Sequence, residues 1–125
     1  MTYLFDENFS KKYVAALAAL GEDVKHSAEE FGAGAPDEEW IPQVGARNWV
    51  LVSLDRRITR NPQQQAVLEA AGIVSFFGAG GVANFSVWDQ FIWLARAWPA
   101  IKHECALLWT CNVHGQCESQ SGSVA

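Results

Sequence analysis

The chain has 125 residues, of which half are apolar and 18% are charged, and its formal net charge is −5. This length suits one domain, and the composition is typical of a globular protein and excludes a disordered one. The acidic balance argues against a protein that binds nucleic acid through charge alone, because such proteins are basic. Six of the 14 acids lie in three short clusters, at Asp6-Glu7, Asp37-Glu38-Glu39 and Asp55.

The sequence shows no sign of export or membrane insertion. No basic segment is followed by the apolar run of a signal peptide, and the longest apolar run, residues 13–20, is too short to span a bilayer. The three cysteines, Cys105, Cys111 and Cys117, are spaced neither as a disulfide framework nor as a zinc site, which prefers two to four residues between ligands. We therefore expect a cytoplasmic protein without membrane contact.

The first third of the chain predicts a strand, a helix and a second strand. Residues 3–5 form a short apolar run typical of a buried strand, and residues 10–20 predict a helix that Gly21 ends. Residues 24–26 predict another short strand. The glycine-rich residues 31–36 predict a loop, because they match no nucleotide-binding glycine motif.

The middle of the chain continues this alternation. Pro36 suits a first helical turn, so residues 37–48 predict a helix that Pro42 kinks or interrupts. The continuous apolar run 49–53 is typical of a central parallel strand. Asn61-Pro62 is a strong helix start, so residues 63–71 predict a helix that stops at Gly72.

The last third predicts one more strand, a long helix and a hairpin. Residues 73–77 predict the strand, and residues 86–98 predict the helix, which continues over 99–104 after a bend at Pro99. Residues 106–111 and 116–119 predict a hairpin around His114-Gly115. The small, polar residues 119–125 predict a flexible tail, which leaves residues 1–118 as one domain.

Strands that alternate with helices predict a three-layer α/β/α sandwich with a mainly parallel central sheet and a C-terminal antiparallel hairpin. In such sheets the functional groups gather beyond the carboxyl ends of the strands. Asp6 and Glu7 follow the first strand directly, Asp37 opens the middle helix, and Asp55 lies just after the third strand. The three acidic clusters are therefore expected to meet at one edge of the sheet.

Carboxylates that converge in this way repel one another unless a cation joins them. Mg²⁺ and Mn²⁺ prefer oxygen ligands, so the pattern predicts a divalent-metal site. Each acid also has a local explanation. Asp6 is a candidate cap for the first helix, Asp37 and its neighbours suit a helix N-terminus, and Asp55 suits a turn.

Four segments give the sequence a family resemblance. They read LFDENFS at residues 4–10, GEDV at 21–24, DEEWI at 37–41 and WVLVSLDRR at 49–57. Together they resemble the compact PIN-like domains, a branch of the PIN ribonuclease superfamily that includes toxins of VapC-type toxin–antitoxin pairs. The resemblance covers residues 3–110 and is densest over 3–62.

The resemblance implies a metal-dependent endoribonuclease that cuts RNA with Mg²⁺ or Mn²⁺ as cofactor. It implies that Asp6, Asp37 and Asp55 are the catalytic metal ligands. A fourth acid is usual in PIN nucleases, and Glu7, Glu38 and Asp89 are candidates for it. The resemblance also implies a cognate antitoxin protein as a partner.

Basic and aromatic residues suggest how RNA and partners are held. Lys11 and Lys12 begin a helix, and the three arginines that follow Asp55 are candidates to bind RNA phosphates. Those arginines are Arg56, Arg57 and Arg60. The predicted helix over 86–98 has an apolar arc expected to face the core, which contains Trp88, Phe91, Ile92, Leu94, Ala95 and Trp98. Trp93 is expected outside this arc, beside Asp89 and Arg96, and is a candidate contact for the antitoxin or for a second copy of the chain.

Two other functions are compatible with the sequence. A non-catalytic PIN-like module would bind RNA or a protein and hold metal poorly, since no fourth carboxylate is placed. A phospho-acceptor receiver domain also has an acidic pair after its first strand and an aspartate after its third. A receiver resemblance requires a late lysine that closes the last strand, and the only late lysine, Lys102, falls in a helical stretch.

Overall fold

A parallel β-sheet runs through the computed structural model of the chain, which describes residues 1–54, 61–78, 81–108 and 121–124. The strands in these ranges are β1 (Tyr3–Phe5), β2 (Val24–His26), β3 (Val50–Ser53), β4 (Ser75–Gly78) and β5 (Ser121–Val124). Their spatial order is β2-β1-β3-β4-β5, and every neighbouring pair is parallel. The mainly parallel sheet predicted from the sequence is thus confirmed.

Helices connect the strands and cover both faces of the sheet. The described helices are α1 (Lys11–Ala19), α2 (Ser27–Phe31), α3 (Asp37–Ala46), α4 (Pro62–Ala71) and α5 (Val87–Leu108), with a 3₁₀ turn at Val82–Asn84. The Asn61 side chain caps α4 by accepting a hydrogen bond of 2.9 Å from the Gln63 N–H, and Gly72 ends α4 in the left-handed conformation at φ 64°. These are the start and stop that the sequence predicts for this helix.

Alternate strand residues face opposite sides of the sheet and build two apolar cores. On one side Phe5 and Val52 pack with α1 and α5, where Trp98 is buried. On the other side Leu4 and Leu51 pack with α3 and α4. The result is the predicted α/β/α sandwich. No helix in the described ranges is long and apolar enough to cross a membrane.

The C-terminal part departs from the prediction. α5 continues through Pro99 to Leu108, so residues 106–108 are helical and not part of a hairpin, and the rest of that predicted hairpin lies outside the described residues. Pro99 is tolerated because the helix loses only the bond to the Ala95 carbonyl, and Ala95 is exposed to water. The sequence predicts a flexible tail over 119–125, whereas Ser121–Val124 pair with β4 as a parallel edge strand.

Candidate functional site

The candidate site lies where the order of the strands reverses. From β1 the chain first adds β2 on one side and then β3 on the other, so the connections diverge between β1 and β3. Parallel α/β sheets leave a crevice at such a switch point, beyond the carboxyl ends of the strands. Asp6 follows β1 and Ser27 follows β2, and both line this crevice, while Ser53, which ends β3, is buried beside Asp6.

Asp6 is held by a tight local turn and by the adjacent strand. Its carboxylate accepts hydrogen bonds from the backbone N–H of Asn8 at 3.2 Å and from the Asn8 side-chain amide at 3.4 Å. This is the turn that Asp favours with the residue two positions on. The Ser53 hydroxyl donates a further hydrogen bond to the same carboxylate. Asp6 is only 5% exposed, and these donors fix the orientation of its carboxylate.

His26, the last residue of β2, stabilises the turn that carries Asp6. Its Nδ1 accepts a hydrogen bond of 3.2 Å from the Ala28 N–H, so the ring proton is on Nε2, which donates to the Phe9 carbonyl at 2.8 Å. The first contact caps the start of α2, and the second fixes the turn that follows Asp6. His26 thus holds the turn without itself lining the crevice, and it is 3% exposed.

Asp37 comes to the crevice from the other core layer. It begins α3, where the partial positive charge of the helix N-terminus favours a carboxylate. Gln64, in the first turns of α4, donates a hydrogen bond of 2.9 Å from its side-chain amide to Asp37. Gly45 lets the two helices approach closely, because a Cβ at that position would clash with the Ala71 carbonyl oxygen.

The loop between α2 and α3 is fastened to the turn after β1. The Glu7 carboxylate accepts a hydrogen bond of 2.7 Å from the Gly34 N–H. Gly34 has φ 73°, a left-handed backbone conformation in which glycine is the least strained residue. This contact fixes the entrance of the chain into α3, and therefore the position of Asp37.

These elements enclose a cleft of about 460 Å³. Asp6, Glu7 and Asp37 are brought together along its wall, as the sequence predicts. The other lining residues are Asn8, Ser27, Gly32, Gly34, Ala35, Trp40, Asn61 and Gln64. Among the described residues, the polar side chains of the lining are carboxylates, amides and a hydroxyl, with no lysine or arginine to balance the acids.

The chemistry of these donors fits a hard divalent cation. Mg²⁺ and Mn²⁺ are bound by carboxylate and amide oxygens, whereas zinc sites use cysteine and histidine, neither of which lines the described part of the cleft. Within the described ranges, no three His, Cys, Asp or Glu side chains are grouped closely enough to hold a metal ion. Asp6, Glu7 and Asp37 thus do not by themselves form a three-carboxylate metal site, and the predicted ligand Asp55 lies outside the described residues.

The other predicted site residues are distributed over different surfaces. Glu38 is exposed on α3 and does not line the cleft. Lys11 and Lys12 are exposed in the first turn of α1, whose N-cap is Ser10, and they too lie off the cleft wall. Arg56, Arg57 and Arg60 lie outside the described residues, as do Cys111 and Cys117.

Trp93 is more buried than the sequence predicts, and Trp88 is more exposed than the sequence predicts. Trp93 is half-buried because its ring packs toward Gly78, where a Cβ would lie 3.4 Å from the indole. Trp88, expected in the apolar arc that faces the core, is 75% exposed. Leu94 and Trp98 are buried as predicted, together with Ala97 and Ile101, whereas Ile92 is 44% exposed. The buried side of α5 is therefore shifted around the helix relative to the predicted arc.

Sequence reasoning missed Ser27, Ser53, Asn61 and Gln64 as residues of the site. Ser53 and Ser27 could have been found, because each lies at the carboxyl end of a strand next to β1. For Asn61 the sequence predicts only the role of helix cap. Gln64 has no such signal, since its contact with Asp37 depends on how α3 and α4 cross.

Comparison with known proteins agrees with this architecture. Residues 1–80 match the family model of the PIN like domain, a segment that includes β1 to β4, Asp6, Asp37 and Asp55. No curated protein and no solved structure matches the chain. The match favours the PIN-like interpretation over the receiver-like one. It does not identify the chain as a member of the VapC-type toxin branch. Because it covers well over half of the chain, the chain belongs to the PIN-like domain family, of a nuclease-type superfamily.

Proposed function

We propose that the protein is a Mg²⁺- or Mn²⁺-dependent endoribonuclease. The observation that carries this proposal is the cleft itself. Asp6 and Asp37, 31 positions apart in the chain, line one oxygen-rich cleft at the switch point of a parallel sheet. The membership of the PIN-like family supports nuclease chemistry at that place.

Asp6, Asp37 and Asp55 are proposed to hold the metal, with Glu7, which lines the cleft, as the candidate for an additional acid. Glu38 is exposed off the cleft wall and is no longer a candidate ligand. A divalent cation bound there would lower the pKa of a water molecule and stabilise charge on a phosphoryl group. Ser53 and Asn8 keep the Asp6 carboxylate oriented through their hydrogen bonds. Gln64 does the same for Asp37.

The charge of the cleft supports an RNA substrate only in the presence of a cation. Three carboxylates line the described wall, so a phosphodiester would be repelled from an empty cleft. Lys11, Lys12, Arg56, Arg57 and Arg60 are proposed to bind phosphates on either side of the cut bond. Such contacts position the strand and do not read its sequence.

The toxin-like resemblance of the sequence supports a role as the toxin of a toxin–antitoxin pair. In that role the cognate antitoxin would be the protein partner, and the compartment would be the cytoplasm. Coexpression with the adjacent gene product tests the role. An antitoxin should suppress both RNA cleavage and growth inhibition by this protein. If neither is suppressed, the toxin role is wrong and only the nuclease proposal stands.

RNA cleavage by the purified protein tests the nuclease proposal. Single-stranded RNA is incubated with Mg²⁺, Mn²⁺ or EDTA and with the wild type, Asp6→Asn or Asp55→Asn. We expect cleavage that requires metal and falls at least about 100-fold in both variants, as loss of a catalytic group does. Glu69→Gln is the matched control, because Glu69 is exposed on α4 and away from the cleft. Activity that survives Asp6→Asn, or no activity in any metal, would favour a non-catalytic binding module.

A further inference from the structure

Two polar side chains of the cleft are almost completely buried and yet make no hydrogen bond within the described chain. They belong to Ser27, which is 4% exposed, and to Trp40, which is 5% exposed, and both residues line the cleft. The Ser27 hydroxyl and the Trp40 indole N–H keep some contact with solvent, because neither is among the enclosed, unpaired polar atoms of the described residues. The small exposed part of each residue therefore opens into the cleft.

Ser27 lies beside Asp6. β1 and β2 are parallel with Phe5 opposite His26, so the register extended by one residue places Ser27 next to Asp6, at the strand separation of about 4.8 Å. On the other side of Asp6 the register with β3 places Ser53, whose hydroxyl donates to the Asp6 carboxylate. The two serines thus flank Asp6, and of the two only Ser53 donates to it.

Trp40 stands in a similar relation to Asp37. It lies three residues further along α3, so both side chains are on the same side of the helix. The Trp40 ring stacks on that of Phe31, with the ring centroids 6.2 Å apart and an angle of 24° between the planes. This contact holds the indole, and with it the N–H, in one orientation before any ligand binds.

The chemistry of these two groups determines which ligand atom suits them. An indole N–H donates a hydrogen bond and cannot accept one, so the partner of Trp40 must be an acceptor. The three carboxylates of the described cleft wall already accept hydrogen bonds from other groups. Neither donor carries a positive charge, so neither competes with a divalent cation for those carboxylates. An oxygen atom of a bound anion is the acceptor that suits both donors.

We propose that the Ser27 hydroxyl and the Trp40 indole N–H bind non-bridging oxygens of a phosphate group in the cleft. This inference rests on the proposed nuclease function, in which the phosphate belongs to RNA and the carboxylates hold a divalent cation. Once their charge is balanced in this way, the carboxylates no longer repel an anion, and the two neutral donors orient it. Ser27 and Trp40 are thus substrate-binding residues and not metal ligands.

Binding of inorganic phosphate tests this inference without a cleavage step. The ¹⁵N-labelled full chain is titrated with phosphate in the presence of Mg²⁺, against chloride at equal ionic strength, and the indole N–H signals are followed by NMR. The Trp40 signal, identified by its loss in Trp40→Phe, should move downfield with phosphate only, while that of the exposed Trp88, which is off the cleft wall, stays in place. Ser27→Ala should raise the dissociation constant for phosphate at least about tenfold, because hydrogen bonds to charged groups are the stronger ones.

Ser86→Ala is the control, because it removes a hydroxyl outside the cleft and should bind phosphate as the wild type does. Urea denaturation checks that Ser27→Ala is as stable as the wild type, which is expected because the lost hydroxyl has no partner in the described chain. A Trp40 signal that does not move with phosphate overturns the inference, even if RNA is cleaved. So do equal phosphate affinities of Ser27→Ala and the wild type. If both expectations are met by a protein that cuts no RNA, the phosphate site stands and only the nuclease proposal is wrong.

Discussion

Ser53, the last residue of β3, donates a hydrogen bond from its hydroxyl to the carboxylate of Asp6, the residue that follows β1. Both side chains are buried, Ser53 fully and Asp6 to all but 5%. The bond joins the two strands on either side of the switch point. It therefore links the geometry of the sheet to the orientation of the proposed first metal ligand.

Removing the Ser53 hydroxyl should lower the metal affinity of the site strongly and the stability of the fold only slightly. We expect Ser53→Ala to lower the affinity for Mn²⁺ by about 10- to 100-fold, the usual effect of losing a group that orients a ligand. The free energy of unfolding should fall by only about 1 kcal/mol. Calorimetric titration with Mn²⁺ and urea denaturation measure the two effects.

Ser86→Ala is a control matched for stability. Ser86 accepts a hydrogen bond of 3.1 Å from the Asp89 N–H at the start of α5, so its loss costs a similar free energy of unfolding at a place away from the cleft. Equal Mn²⁺ affinities of Ser53→Ala and the wild type would show that Ser53 serves the fold alone.

The Gln64 amide gives a prediction about pH. Gln64→Glu places a second carboxylate 2.9 Å from Asp37 in place of a donor. Like charge disfavours the ionised form, so the pKa of Asp37 should rise, and the acid limb of the rate–pH profile should move to higher pH. Gln65→Glu, one residue along α4 and exposed, should leave the limb in place. If the acid limb of the rate–pH profile of Gln64→Glu stays where it is in the wild type, Asp37 does not take part in the reaction.

Glu7 offers a test between two roles. As a metal ligand it needs its negative charge, whereas as the anchor of the loop at Gly34 it needs only an oxygen that accepts a hydrogen bond. The 2.7 Å contact leads us to expect that Glu7→Gln keeps at least about half of the cleavage rate while Glu7→Ala loses about tenfold. Steady-state rates at saturating Mn²⁺ decide the matter. A Gln variant as inactive as the Ala variant would assign Glu7 to the metal.

A surface ion pair predicts a pH dependence of stability. Lys102 donates hydrogen bonds of 2.9 Å and 3.0 Å to the Glu22 carboxylate, and they hold its pKa below the ordinary value of 4.5. A lowered pKa stabilises the fold above pH 4.5, and this contribution is lost as the pH falls through the pKa of the folded state. Both side chains are partly exposed, so the contribution is about 0.5 kcal/mol.

Lys102→Met should therefore be less stable than the wild type at pH 7 and equally stable near pH 3. Thermal unfolding across this pH range measures the difference. A gap between the two proteins that persists at low pH would show that the lysine acts through its aliphatic stem and not through its charge.

Much of the fold follows from local patterns. The bounds of β1 and β2 match the predicted segments, and the predicted strand at 49–53 differs from β3 by one residue. These strands are predictable because a short apolar run between two helical patterns is typical of a buried strand. Asn61 and Gly72 bound α4 as predicted. The sequence does not predict the short helix α2, because its N-cap is the unusual residue His26.

The failures of prediction depend on tertiary contacts. Residues 121–124 form the strand β5 because their backbone pairs with β4 at the edge of the sheet. The small side chains of these residues give no sequence signal for a strand. Trp93 is half-buried because Gly78 has no side chain and leaves room for the Trp93 ring beside the sheet, whereas Trp88 is exposed. In the site, Asp6 could be predicted from its position after a strand, whereas the Asp37–Gln64 contact depends on the crossing of two helices.

The chemical ends of the RNA products test the central proposal most directly. A 5′-labelled and a 3′-labelled single-stranded RNA are cut with Mn²⁺ by the wild type and, side by side, by Asp6→Asn. Attack by a metal-activated water leaves a 5′-phosphate and a 3′-hydroxyl, and we predict these ends with the wild type and no products with the variant. A 2′,3′-cyclic phosphate, or products that persist in Asp6→Asn, would contradict the assignment of the cleft as a metal-dependent nuclease site.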